Sequence, residues 1–216
     1  MKSLTALIKR EYLEHRGAVL YAPAVILVAL AVIAFSGAAL GRFDFYAVGV
    51  SALFDLKGFE FSFLAVSALW FFYLLMALFF YFADAFSADS RNNAMLFWKS
   101  MPQSDFKILG SKMLAGMTVF PALIVGALLV SALIAYIAVA FVLTARLGIP
   151  VSPTADFITS ALNVFGFDVA YLVLALLWYS PFFAWVGLLS TLFRRWSIPL
   201  AFLIPGLAGL AENLLF

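Results

Sequence analysis

Cysteine is absent from this chain, and histidine occurs once, at position 15. No cysteine means no disulfide and no thiolate metal site. One histidine rules out a histidine metal cluster and the H-E-x-x-H zinc motif. The phosphate-binding G-x-x-x-x-G-K-[ST] loop is missing too: "GSKMLAG" at 110–116 lacks its glycine spacing, so ATP hydrolysis by that route is excluded. There is no G-x-S-x-G nucleophile elbow. Charge is scarce: 11% of the 216 residues are charged and 66% are hydrophobic. A soluble domain carries about 25% charged residues. A deficit of that size signals lipid rather than a large core.

What is present are long uncharged runs. Residues 17–41, 61–83, 113–145 and 169–193 carry no charged side chain, and a shorter run covers 196–211. At about 1.5 Å per residue against a hydrocarbon layer about 30 Å thick, each long run suffices to cross. Backbone amides in lipid must be paired within their own segment or in a closed barrel. The runs lack the alternation a barrel strand needs, so helices are expected. The reading is an all-α polytopic membrane bundle forming a single transmembrane domain over 1–216. It has about five spans (17–41, 61–83, 108–145, 167–193 and 196–216), an N-terminal interfacial helix over 3–16, and a short cytoplasmic coupling helix over 89–101. The last run holds Pro199, Pro205 and Gly206; it is read as a crossing, with a broken re-entrant piece as the alternative. Pro121 and Gly126 are expected to kink the third run, and Pro181 removes a hydrogen bond from the fourth.

Positive charge sets the orientation. With the N-terminus inside, ten lysines and arginines fall on inner segments and three, Arg42, Lys57 and Arg146, on outer ones. A multi-pass protein of the plasma (inner) membrane with a cytoplasmic N-terminus is expected. No cleavable signal peptide is read at the start.

The first residues form an amphipathic pattern. Leu4, Leu7, Ile8 and Tyr12 share a face while Lys9, Arg10, Glu14 and Arg16 lie elsewhere, as in a helix lying in the interface. Gly17 turns the chain into the first span, and His15 is expected as an exposed interface residue.

The passage 89–107, "DSRNNAMLFWKSMPQSDFK", breaks the apolar pattern. Asp89 or Ser90 caps a helix start. Ala94, Phe97, Trp98 and Met101 recur at helical spacing and make an apolar stripe, and Pro102 ends it. Ser104 and Asp105 cap the next helix. A short amphipathic helix of this kind is marginal alone. It either lies on lipid or enters a partner's groove, and the residues themselves leave that choice open.

"LIKREYLEHRG" before a long span, followed by "DSRNNAMLFWKSMPQSDFKILGSKMLAG", resembles the start and first cytoplasmic loop of type-2 ABC transporter permeases, the export-type membrane subunits. The matching positions are Asp89 and Arg91, Ser100 to Pro102, Ser104 and Lys112, and the likeness runs over about residues 3–200. It implies a permease subunit that couples ATP hydrolysis by a separate ABC ATP-binding subunit to export. Coupling would run through Asp89, Arg91, Phe97, Trp98, Lys99, Met101 and Pro102, with Arg10 and Glu11 buttressing from the N-terminal helix. It also implies a second permease subunit, identical or related. ATP and Mg belong to the partner ATPase; the chain is expected to bind no cofactor or metal itself and to be no enzyme alone. Membrane lipid is an expected partner and nucleic acid is not. The family has six spans where five are counted here, so the chain is read as a piece of a longer protein or one that a partner completes. The alternative function is an accessory or channel-like membrane protein without an ATPase.

Two acids approach membrane depth. A charge at the centre of a membrane helix costs about 2.5–3.5 kcal/mol on insertion scales. Asp84 is expected near the inner end of the second span, pairing with Arg91 or Lys112 or facing water. Asp168 is expected at the outer rim of the fourth, and proton coupling through either acid is the lesser reading.

Overall fold

The computed structural model describes residues 2–40, 56–91, 104–147, 155–193 and 196–215. The described residues are helical almost throughout, and no strand occurs among them. In chain order the helices are α1 (Lys2–Glu14), α2 (Ala22–Leu40), α3 (Leu56–Arg91), α4 (Asp105–Leu114), α5 (Phe120–Leu147), α6 (Ala155–Phe193) and α7 (Ser197–Leu215). Two π-helical stretches, Gly17–Tyr21 and Ala115–Val119, lead into α2 and α5.

Five stretches are long and apolar enough to cross a membrane: Gly17–Gly37, Phe63–Ala85, Phe106–Ala138, Ala161–Phe193 and Ser197–Leu214. Their outward faces are greasy. Val25, Val28 and Val32 on α2 and Leu174, Leu177 and Trp178 on α6 are all exposed. A protein surrounded by water rarely shows apolar surface so continuous. The chain is a polytopic helical membrane protein, and these faces suit lipid. The final run is one unbroken helix with Pro205 inside it, as a crossing requires.

The π stretches have a local cause. A proline ring in a helix collides with the carbonyl four residues earlier. For Pro23 that carbonyl belongs to Val19, and for Pro121 to Met117; each is the middle residue of a π stretch. Widening the turn to five-residue bonds, Ala22 N–H to Gly17 O and Phe120 N–H to Ala115 O, accommodates the ring without breaking the ladder. Both prolines are buried, whereas Pro181 and Pro205 are exposed and their helices stay α. The irregularity expected at Pro121 thus precedes it, and none occurs at Gly126.

Two expectations about helix starts are corrected or refined. Asp89 and Ser90 do not open a helix; α3 runs unbroken from Leu56 to Arg91. Extending an existing helix adds a bond for each residue fixed, whereas a new start must be nucleated. Residues 92–103, the rest of the expected coupling helix, lie outside the described residues. Ser104 does stand at the N-cap of α4 in extended conformation, but its hydroxyl makes no cap bond. Its carbonyl instead accepts the first helical bonds, from Lys107 N–H at 2.9 Å and Ile108 N–H at 3.4 Å.

The chain divides into two compact units. The first comprises Met1–His15, Leu74–Pro121 and Ala175–Phe216. Its core is aromatic: Phe82 of α3 stacks on Phe183 of α6 with centroids 5.3 Å apart, and Phe79 stacks on Phe182 at 5.9 Å and meets Phe202 of α7 at 5.5 Å. Ser197 at the start of α7 donates to the Ala83 carbonyl at 3.3 Å. The second unit comprises Arg16–Tyr73 and Ala122–Leu174. It buries Phe63, Ser67 and Trp70 of α3, Ile124, Leu128 and Ser131 of α5, and Val164, Asp168 and Leu172 of α6. Those spacings of three or four residues, totalling seven on α3 and α5 and eight on α6, are the stripe of one helix face.

Candidate functional site

The first unit contains a buried ion pair. Lys112, near the end of α4, donates from Nζ to Glu11 Oε1 of α1 at 2.9 Å, and both side chains are 4% exposed. Removing two charges from water costs several kcal/mol for each ion, and their attraction offsets it only with good geometry and further hydrogen bonds. Tyr81 of α3 supplies one. Its hydroxyl is 3.2 Å from Glu11 Oε2 and 3.0 Å from the Lys112 carbonyl, and its single proton serves one acceptor at a time. Lys112 O lies just before the π stretch, where it shares the Ala115 N–H with Ser111 O, the acceptors three and four residues back.

Aromatic packing closes the cluster. The His15 ring meets Tyr81 edge-on at 4.8 Å and lies 6.2 Å from Phe120, which itself meets Tyr81 at 4.8 Å. His15 is held from behind by its own helix, Nδ1 lying 3.1 Å from Glu11 O. Gly116, in the π stretch, permits the close approach of α3: a Cβ there would meet Phe82 Cζ at 2.7 Å and Tyr81 Cε1 at 3.0 Å. α1, α4 and the π stretch are therefore packed together, with the later half of α3 bound into the same cluster. The chemistry is that of a fastening.

The sequence-derived site residues are distributed as follows. Glu11 is at the heart of the cluster. Arg10 pairs with Glu14 at 3.7 Å, with both side chains more than a third exposed. Asp84, half-buried, lies three residues beyond Tyr81 on α3. Asp89 and Arg91 are the last turn of α3, their side chains outside the described residues, as are Phe97, Trp98, Lys99, Met101 and Pro102 altogether. His15 is not an exposed interface residue but a half-buried ring in the cluster. Lys112 goes to Glu11, a partner the sequence reading did not name. The missed signal is the helical spacing of Leu4, Ile8, Glu11 and His15, which sets Glu11 on the apolar stripe of α1. An ionised carboxylate on a buried stripe is stabilised by a cation, and Lys112 stands just before the long uncharged run.

The second unit holds a different polar arrangement. Asp168, expected at the outer rim of its span, is buried: it is 2% exposed and seven residues past Ala161 in its candidate span. Its Oδ2 lies 2.6 Å from Ser67 Oγ, which is also 2.9 Å from the Phe63 carbonyl. On the same helix the Trp70 indole N–H donates to Ser131 Oγ of α5 at 2.9 Å, and Ser131 donates to the Ala127 carbonyl at 2.9 Å. Tyr73 donates to the Ala18 carbonyl. No cluster of three or more potential metal ligands occurs among the described residues. Comparison with protein-family models, curated proteins and solved structures yields no match.

Proposed function

We propose that this chain is the membrane-spanning subunit of an ATP-driven exporter, receiving work from a separate ATP-hydrolysing subunit through the segment between α3 and α4. The observation that supports this reading is the Glu11–Lys112–Tyr81 fastening. The segment 92–103 is joined to the cluster on both sides. Arg91 lies ten residues past Tyr81 and Asp105 seven residues before Lys112. At the helical rise, those arms are about 15 Å and about 10 Å long. A push on that segment would reach the second and third candidate spans together, with α1 moving as part of the same body, because the buried pair resists separation. Phe97, Trp98 and Met101 would fill a groove on the ATPase, flanked by Asp89, Arg91 and Lys99. In this reading the segment and α1 lie on the cytoplasmic side of the inner membrane, and a second permease subunit completes the pathway.

The test is purification of the full chain from native membranes, with and without Phe97→Ala and Trp98→Ala together. An ATP-binding protein is expected to accompany the unaltered chain and to be lost from the double variant, while membrane insertion persists. If no ATP-binding protein accompanies the unaltered chain, the accessory or channel-like reading replaces this one. If the ATPase remains bound to the double variant and transport is normal, the coupling assignment fails.

A further inference from the structure

The two buried serines of the second unit have the same local geometry and differ in the group that faces them across the helix interface. Ser131 directs its single hydroxyl hydrogen to the carbonyl four residues earlier, Ala127 O at 2.9 Å, and accepts a hydrogen across the helix interface from Trp70 Nε1 at 2.9 Å. Ser67 is placed the same way. The carbonyl four residues earlier, Phe63 O, lies 2.9 Å from its Oγ, and across the interface stands Asp168 Oδ2 at 2.6 Å.

A serine hydroxyl has one hydrogen, and an ionised carboxylate only accepts. With Asp168 ionised, two acceptors compete for that one hydrogen, and one contact at hydrogen-bond distance is left without a proton. With Asp168 protonated, every contact is satisfied. Asp168 Oδ2–H donates to Ser67 Oγ, and Ser67 donates to Phe63 O, just as Trp70 donates to Ser131 and Ser131 to Ala127. The other carboxyl oxygen agrees: Asp168 Oδ1 is buried with no hydrogen-bond partner. An unbonded carbonyl oxygen is far less costly in an apolar interior than an unbonded oxygen of an anion.

No cation among the described residues pairs with Asp168. The other titratable groups of this unit whose side chains are described are Arg16, Tyr21, Tyr73, Tyr136 and Tyr171, and none bonds to it. Arg16 lies over the Tyr21 ring, Tyr73 donates to Ala18 O, and Tyr171 stacks on Phe167.

We propose that Asp168 is a proton-binding site inside the helix bundle, a neutral carboxylic acid whose O–H donates to Ser67. The proton comes from water and takes the place of a counter-ion. Its loss would leave an unpaired anion and an over-subscribed serine between α3 and α6, so release of the proton is tied to rearrangement or wetting of that contact. This inference is independent of the exporter reading.

The test is infrared spectroscopy of the full chain in phosphatidylcholine vesicles near neutral pH, comparing the unaltered protein with Asp168→Asn and Ser67→Ala. Subtracting the D168N spectrum is expected to isolate a protonated carboxyl C=O band, sensitive to exchange into D2O. In S67A, which retains the acid and loses its acceptor, the same band is expected to move. If the D168N difference contains only the paired stretches of a carboxylate, Asp168 is ionised and the proposal fails. If the band is present but does not move in S67A, the donation to Ser67 is wrong. Should D168N fail to insert, the S67A comparison decides by the same band.

Discussion

The two compact units solve one problem in opposite ways. In the first, a carboxylate, Glu11, is buried against a cation, Lys112, with Tyr81 donating beside them. In the second, Asp168 is buried with no cation paired to it among the described residues and leans on Ser67, whose hydroxyl also reaches its own helix at Phe63 O. Both arrangements tie together segments far apart in sequence, Glu11 and Lys112 being separated by 101 residues and Ser67 and Asp168 by the same number; what differs is the charge. The pair therefore acts as a clasp that fails if either half is lost. The hydroxyl arrangement uses the surplus acceptor capacity of helix carbonyls, holds helices more loosely, and asks the acid to be neutral.

The largest effect should follow from breaking the clasp. Lys112→Met leaves Glu11 buried and unpaired, and loss of one partner of a buried pair costs about 3–5 kcal/mol. Adding Glu11→Leu is expected to recover most of that loss. Unfolding in mixed detergent micelles measures both, and a double variant no better than K112M would mean that packing rather than charge dominates. Gly116→Ala comes next. The new Cβ would lie 2.7 Å from Phe82 Cζ, and Phe82 is fully buried against Phe183, so it has little room to yield. Overpacking of this kind costs about 1–3 kcal/mol. The same unfolding measurement would reveal a tolerant site if stability were unchanged.

Ser131→Ala probes the looser unit. It strands the buried Trp70 N–H, and interhelical hydrogen bonds in membranes average about 0.6 kcal/mol with a maximum near 1.7. A loss as large as that of K112M would erase the contrast between the units. The smallest effect is expected from Glu14→Gln, which removes the exposed i,i+4 pair with Arg10. Such pairs contribute about 0.3–0.5 kcal/mol, and a loss beyond about 1 kcal/mol would show that Glu14 does more than the 3.7 Å contact indicates.

Much of the fold was legible because lipid imposes a rule on every residue of a span. Long uncharged runs, the absence of strand alternation and the amphipathic first turns read directly as helices, and the helix start at Asp105 followed from Ser104 and Pro102. The end of α3 was misread because Asp89, Ser90 and Arg91 look like a boundary in one dimension, yet a helix already propagating crosses three polar residues cheaply. The candidate site was half legible. Glu11 and Lys112 were both singled out, but separately.

Composition and spacing alone settled that the chain is helical, lies in a membrane and has candidate crossings of adequate length, since those depend on hydrophobicity and the rise per residue. They also marked Pro121, whose ring locates a π turn through a purely local clash. Only the folded arrangement decided that Glu11 meets Lys112, that Gly116 must lack a side chain, and that Asp168 faces Ser67 rather than water. Those facts depend on helix rotation about its own axis and on which helices meet, which tertiary packing chooses.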